Sequence, residues 1–236
     1  MEELLNKMPN IRTIKVEWRD LLPNKDALLN TNVKLDNLIV ETFDDDDGSV
    51  CAILNELYDR GFYKRLHLID VGSIHFANQQ FIDRMATLRA LETLKIEYMD
   101  ADFPVMPNVK KIIFNDENDF NFTTFPSKLP NLQWIVVPND SIDAWEAILP
   151  FIRGSKQLSR INMVERTNEE YDENILDLPT LNKEREKLAG ARKVIIYVPE
   201  ETFLETKFAH GASYSLIEMK RNESLKLRYD DFWYID

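Results

Sequence analysis

The chain has 236 residues, 44% of them hydrophobic and 30% charged, with a formal charge of −12 at neutral pH. That length buries a core in one large domain or two small ones, and the composition excludes wholesale disorder. The acidic balance disfavours a generic nucleic-acid binder, while the single cysteine, Cys51, excludes an internal disulfide framework and points to a reducing, intracellular (cytoplasmic or nuclear) compartment.

Residues 1–7 read as the tail of a helix, with no basic segment followed by an apolar one that would mark a secretory signal. No apolar run further on is long enough to span a bilayer, so no membrane partner is expected. At 8–16 stands MPNIRTIKV, nearly repeated as MPNVKKIIF at 106–114 and LPNLQWIVV at 129–137. The shared pattern is an apolar residue, two variable ones, an apolar one, one variable, and an apolar one. In chain order it falls on Ile11-Ile14-Val16, Leu35-Leu38-Val40, Tyr63-Leu66-Leu68, Leu91-Leu94-Ile96 and Val109-Ile112-Phe114. It continues through Leu132-Ile135-Val137, Leu158-Ile161-Met163, Ala191-Val194-Ile196 and Tyr214-Ile217-Met219. The central residues are 18 to 33 apart and scatter around the mid-twenties, which is a repeat architecture rather than chance. The last two apolar residues of each phrase alternate with variable ones, the period of a strand, and the first marks the turn into it.

Segments with helical spacing lie between the phrases. They are 48–61, with Gly61 as a stop, 76–88, 143–154 interrupted by Pro150, 181–190, and 200–211. The short unit between 94 and 112 holds little beyond FPVMP, and 165–178 is a polar insertion expected to form a loop.

Strand, loop and helix at this period resemble the leucine-rich-repeat family over essentially the whole chain. The resemblance implies an α/β fold: a leucine-rich-repeat solenoid, or horseshoe, of about nine irregular repeats in one domain spanning 1–236. A parallel sheet would line its concave side, with helices or loops on the convex side. The Asn or Cys that the family places three residues after the last apolar position is replaced here by Arg19, Phe43, Val71, Met99 and Glu117 in the first five units. The irregular phrases, with LPTLNKEREKLAGARKVIIYVPEETFLETK near the end, are most similar to insect F-box leucine-rich-repeat proteins. That resemblance implies a substrate receptor of a ubiquitin ligase, with the ligase scaffold as a partner where an F-box lies upstream. No F-box is seen in this sequence.

Chemistry is sparse. The acidic run Asp44, Asp45, Asp46 and Asp47 is the candidate for a divalent metal, and with it for a metal-dependent enzyme or regulator. An EF-hand frame fails, because it sets Phe43 and Leu54 at ligand positions; the same acids also suit the positive end of a following helix. No zinc, phosphate-loop or nucleophile-base motif occurs, so the expectation is a non-catalytic protein without a cofactor.

In a parallel repeat, equivalent variable positions stack in columns across the concave face. These columns carry seven basic and four acidic residues, a local excess of three positive charges on an acidic chain. The cations and histidine of interest are Arg65, His67, Lys95, Lys111, Arg160 and Lys193, and the interleaved apolar and aromatic residues are Ile113, Trp134, Val136, Ile195 and Tyr197. Such a face suits another protein presenting an acidic or extended segment, with Trp134 as anchor.

Overall fold

A β-branched or large apolar residue at every second position favours an extended strand buried on one side, and each of the nine phrases forms one. In the computed structural model, residues 5, 7–8, 10–41, 49–69, 79–96, 103–114, 122–138, 144–164 and 175–222 are described. The chain is α/β and divides into two compact units, Met1–Lys110 and Lys111–Asp236.

The first unit runs β1 (Thr13–Glu17), α1 (Trp18–Leu21), α2 (Lys25–Asn30), β2 (Leu35–Glu41), α3 (Ser49–Asp59), β3 (Tyr63–Ile69), α4 (Gln79–Met85) and β4 (Leu91–Ile96). Its strands pair in parallel and in chain order, with Ile14 beside Leu38 and Leu38 beside Leu66. Leu38, Leu66 and Leu94 are fully buried, as are Leu54 and Leu57 on α3. Gly61 ends the α3 turn at a φ of 70°, a left-handed conformation that glycine adopts without penalty.

The second unit runs β5 (Lys111–Phe114), α5 (Phe125–Lys128), β6 (Trp134–Pro138), α6 (Ala144–Gly154), β7 (Arg160–Val164), α7 (Leu178–Glu186), β8 (Val194–Val198), α8 (Glu200–His210) and β9 (Ile217–Arg221). Its strands are again parallel and sequential. The helix expected to be interrupted by Pro150 continues through it: the proline sits inside α6. The core gathers around Phe114, whose ring meets Phe125 edge-on at 5.3 Å and Phe151 at 5.9 Å.

Two registers depart from the sequence columns. Between β3 and β4 the pairing shifts after Leu66, so that His67 lies beside Thr93 and Leu68 beside Leu94. Between β7 and β8, Arg160 lies beside Ile195 instead of Lys193, and Asn162 beside Tyr197. At His67 and Leu68, and throughout β7–β8, the shift is by two residues, which preserves the face each side chain belongs to, while Leu66 lies beside Leu91, three residues off its column, across an irregularity in the ladder.

Neighbouring repeats are stitched by side chains from the helices. Asn55 on α3 donates to the carbonyl of Thr87 at 3.2 Å and accepts the N–H of Arg89 at 3.3 Å. Asn182 on α7 does the equivalent work in the second unit, accepting the N–H of Leu216 at 2.9 Å. Arg185, also on α7, is fully buried and spends five N–H groups on main-chain carbonyls. It donates to Arg192, Ile152, Ser155, Lys156 and Leu158 at 2.8 to 3.2 Å. Burial pulls its pKa down to about 10, so the group is still a cation at neutral pH. The carbonyls of Ile152 and Ser155 lie at the C-terminal, negative end of α6, which compensates part of that buried charge.

Candidate functional site

The strands of the second unit bring four of the expected residues together on one face. Trp134 on β6 lies beside Arg160 on β7 and beside Lys111 on β5, and Tyr197 follows on β8. Lys111 Nζ is 3.6 Å from the centre of the Trp134 ring, and the Arg160 guanidinium carbon is 4.1 Å from it. The same guanidinium is 4.7 Å from the Tyr197 ring. Cation, aromatic, cation and aromatic therefore alternate across four strands, each contact contributing about 0.5–2 kcal/mol.

Asn162 fixes this ladder from beneath. It is 1% exposed. Its carboxamide oxygen accepts both the indole N–H of Trp134, at 2.9 Å, and Nε–H of Arg160, at 2.8 Å. Asn222 accepts from the Asn162 amide at 3.5 Å and itself donates to the carbonyl of Met163 at 2.9 Å. Arg160 is thus held flat with one edge used, and neither terminal amino group of its guanidinium donates to a protein acceptor among the described residues. Burial holds its pKa below the ordinary arginine value, and Tyr197 acts in the opposite sense. A planar, partly desolvated guanidinium with its outer edge open matches the two oxygens of a carboxylate.

The remaining expected residues behave differently. Ile113 and Val136 are 1% and 0% exposed, so the expectation that both line an accessible surface does not hold. With Val164 they form an apolar cluster against which Trp134 packs, and the anchor stands on core. Ile195 is half-buried next to Arg160. Lys193 pairs with Glu218 at 2.8 Å, and Lys220 meets the same carboxylate at 3.4 Å. The hydrogen bond from Lys193 holds the Glu218 carboxyl below the usual carboxylate range.

In the first unit, Arg65 lies 3.9 Å from Glu92. His67 Nε2 is 3.1 Å from the Asn37 carboxamide oxygen, and Asn37 donates to Thr13 at 3.2 Å, a polar ladder across β1, β2 and β3. Lys95 is buried at 5%. The positive excess counted along the columns is therefore in large part consumed by carboxylates and polar neighbours.

Asp44–Asp47 and the segment 165–174 lie outside the described residues. Among the described residues no cluster of three or more His, Cys, Asp or Glu is placed to hold a metal ion, and no helix is long and apolar enough to cross a membrane. Cys51 is buried on α3. No protein-family model, curated protein or solved structure matches the chain.

Proposed function

We propose that the chain is a protein-interaction module without catalytic activity, built as a leucine-rich-repeat solenoid, and that the face of the second unit around Trp134 and Arg160 binds an extended segment of another protein through its acidic side chains. The observation that carries this reading is the Arg160 guanidinium, clamped between two aromatic rings and bonded to Asn162, with its outer edge unspent. Fixing an arginine in advance removes the rotamer entropy that a flexible cation loses on binding. The sequential parallel strands within each unit support the repeat reading. The similarity to F-box leucine-rich-repeat proteins supports the narrower proposal that the module recognises substrates for a ubiquitin ligase.

An array of extended peptides that vary in Asp and Glu content tests the surface. Binding should select acidic peptides, fall at least about tenfold with Arg160→Ala, and change little with Lys193→Ala, whose charge is already met by Glu218. Equal loss in both variants, or none in Arg160→Ala, refutes the assignment.

A further inference from the structure

The register of the second unit sets one row of side chains across its strands: Lys111, Trp134, Arg160, Ile195 and Glu218, on β5 to β9 in turn. Neighbours in the row stand one strand spacing apart, about 4.8 Å at the main chain. The row is ordered by charge: a cation, an aromatic, a cation, an aliphatic residue and then an anion. Both cations lean on the residue between them. Lys111 Nζ is 3.6 Å from the centre of the Trp134 ring, and the Arg160 guanidinium carbon is 4.1 Å from it. Trp134 is on the strand between theirs, so the cations approach its ring from opposite sides. Their charges are separated by no more than those two distances combined.

Alternate side chains of an extended chain share one face and stand about 6.6–6.8 Å apart. That repeat falls just within the separation of the two cations. Adjacent side chains point to opposite faces, and pairs at i and i+4 span about 13 Å, which overshoots it. A segment crossing from β5 towards β7 therefore lays one carboxylate on Lys111 and the next but one on Arg160, with the edge of Trp134 under the residue between. An ammonium carries three N–H donors, so Lys111 meets a carboxylate alongside the contacts it keeps within its own chain. Arg160 offers its terminal N–H groups, its Nε–H being spent on Asn162 at 2.8 Å. Beyond Arg160 the row continues in Ile195, which is half-buried, so a third acid in phase has no cation in the row to meet.

On the acidic-segment reading of the Arg160 face, from which this proceeds, we infer that the surface recognises two acidic residues separated by one, acid-x-acid in an extended segment, with Lys111 as the cation that determines the spacing. A diffuse positive patch would instead attract peptides according to their total charge.

Calorimetric titration tests it, with extended peptides of one composition and one net charge that differ only in the positions of two glutamates. The pair at i and i+2 should bind at least about fivefold more tightly than pairs at i and i+1 or at i and i+4, and a third glutamate at i+4 should add less than about twofold. In Lys111→Gln the preference should vanish, while a peptide with a single glutamate keeps its affinity within about twofold. Lys111→Arg keeps a cation against the indole and should retain the preference. Unchanged thermal unfolding of both variants shows that the fold is kept. Acidic peptides that bind through Arg160 without regard to spacing, or a preference that survives Lys111→Gln, overturn the inference and leave the acidic-segment reading standing. If no acidic peptide binds, or binding ignores Arg160→Ala, both fall.

Discussion

One terminal amino group of Arg185 donates to the carbonyl of Leu158 at 2.9 Å, and so fixes the chain two residues ahead of Arg160. Arg185 therefore couples the stability of the second unit to the geometry of the candidate site. Replacing it with Met leaves several buried carbonyls unsatisfied, each costing about 1–3 kcal/mol. Arg185→Met should destabilise by roughly 3–5 kcal/mol in chemical denaturation. Arg185→Lys should recover little, because an ammonium has three donors where five carbonyls accept. Stability within about 1 kcal/mol of wild type in either variant would contradict the assigned role.

Asn162 offers a sharper test of the site, since its oxygen faces Arg160 Nε at 2.8 Å. Asn162→Asp keeps the shape and supplies a carboxylate, satisfying the guanidinium from inside. Acidic peptides should then bind at least about tenfold more weakly, while the fold is retained. Unchanged peptide affinity in that variant would remove Arg160 as the recognition group.

Gly154 closes α6 against α5, where an added Cβ would lie 2.5 Å from Pro126 Cβ. The ring cannot swing aside as a long side chain would. Gly154→Ala gains at most about 1 kcal/mol of helix propensity. It costs about 1–3 kcal/mol in overpacking, so net destabilisation is expected. A raised melting temperature would show that α5 moves away freely.

Asp177 caps α7: its carboxylate accepts the Thr180 N–H at 3.0 Å and the Thr180 hydroxyl at 2.6 Å. The Thr180 hydroxyl, then the Thr180 main-chain N–H, hold the Asp177 pKa below its ordinary 3.8. The sign follows: a carboxyl with a lowered folded pKa stabilises above its unfolded value and loses that contribution as pH falls through the folded one. Asp177→Ala should therefore cost about 1 kcal/mol at neutral pH. The gap to wild type should narrow as pH falls below the ordinary carboxyl value, measured by urea unfolding at a series of pH values. A gap independent of pH would mean that the cap acts through something other than its charge.

The strands were legible because burial on one side imposes a period of two, and each phrase centre from Ile14 to Ile217 lies on a strand. The registers at Leu66 and Arg160 were not: Leu38, Leu66 and Leu94 are equally spaced in the sequence, yet β2–β3 keeps its columns and β3–β4 does not, so spacing alone does not set the pairing. Alternation also says which face a side chain occupies, but not what lies over it, hence the unexpected burial of Ile113 and Val136. Trp134 and Arg160 stood out as an aromatic and a cation at equivalent positions. Asn162, which organises both, was visible only as one polar residue among apolar neighbours in RINMV. Arg185 had a signal that charge concealed: it continues the stripe begun by Leu178 and Leu181 at helical spacing, where an apolar residue is the default.

The outer edge of β9 is already occupied by the chain itself. Met219 donates its N–H to the Ala212 carbonyl at 2.8 Å, and Tyr214 donates to the Ile217 carbonyl at 2.7 Å. This short fold-back takes the positions that a tenth parallel strand would need. The fold-back thereby shields the Ile217–Met219 stretch of that edge from pairing with a strand of another molecule.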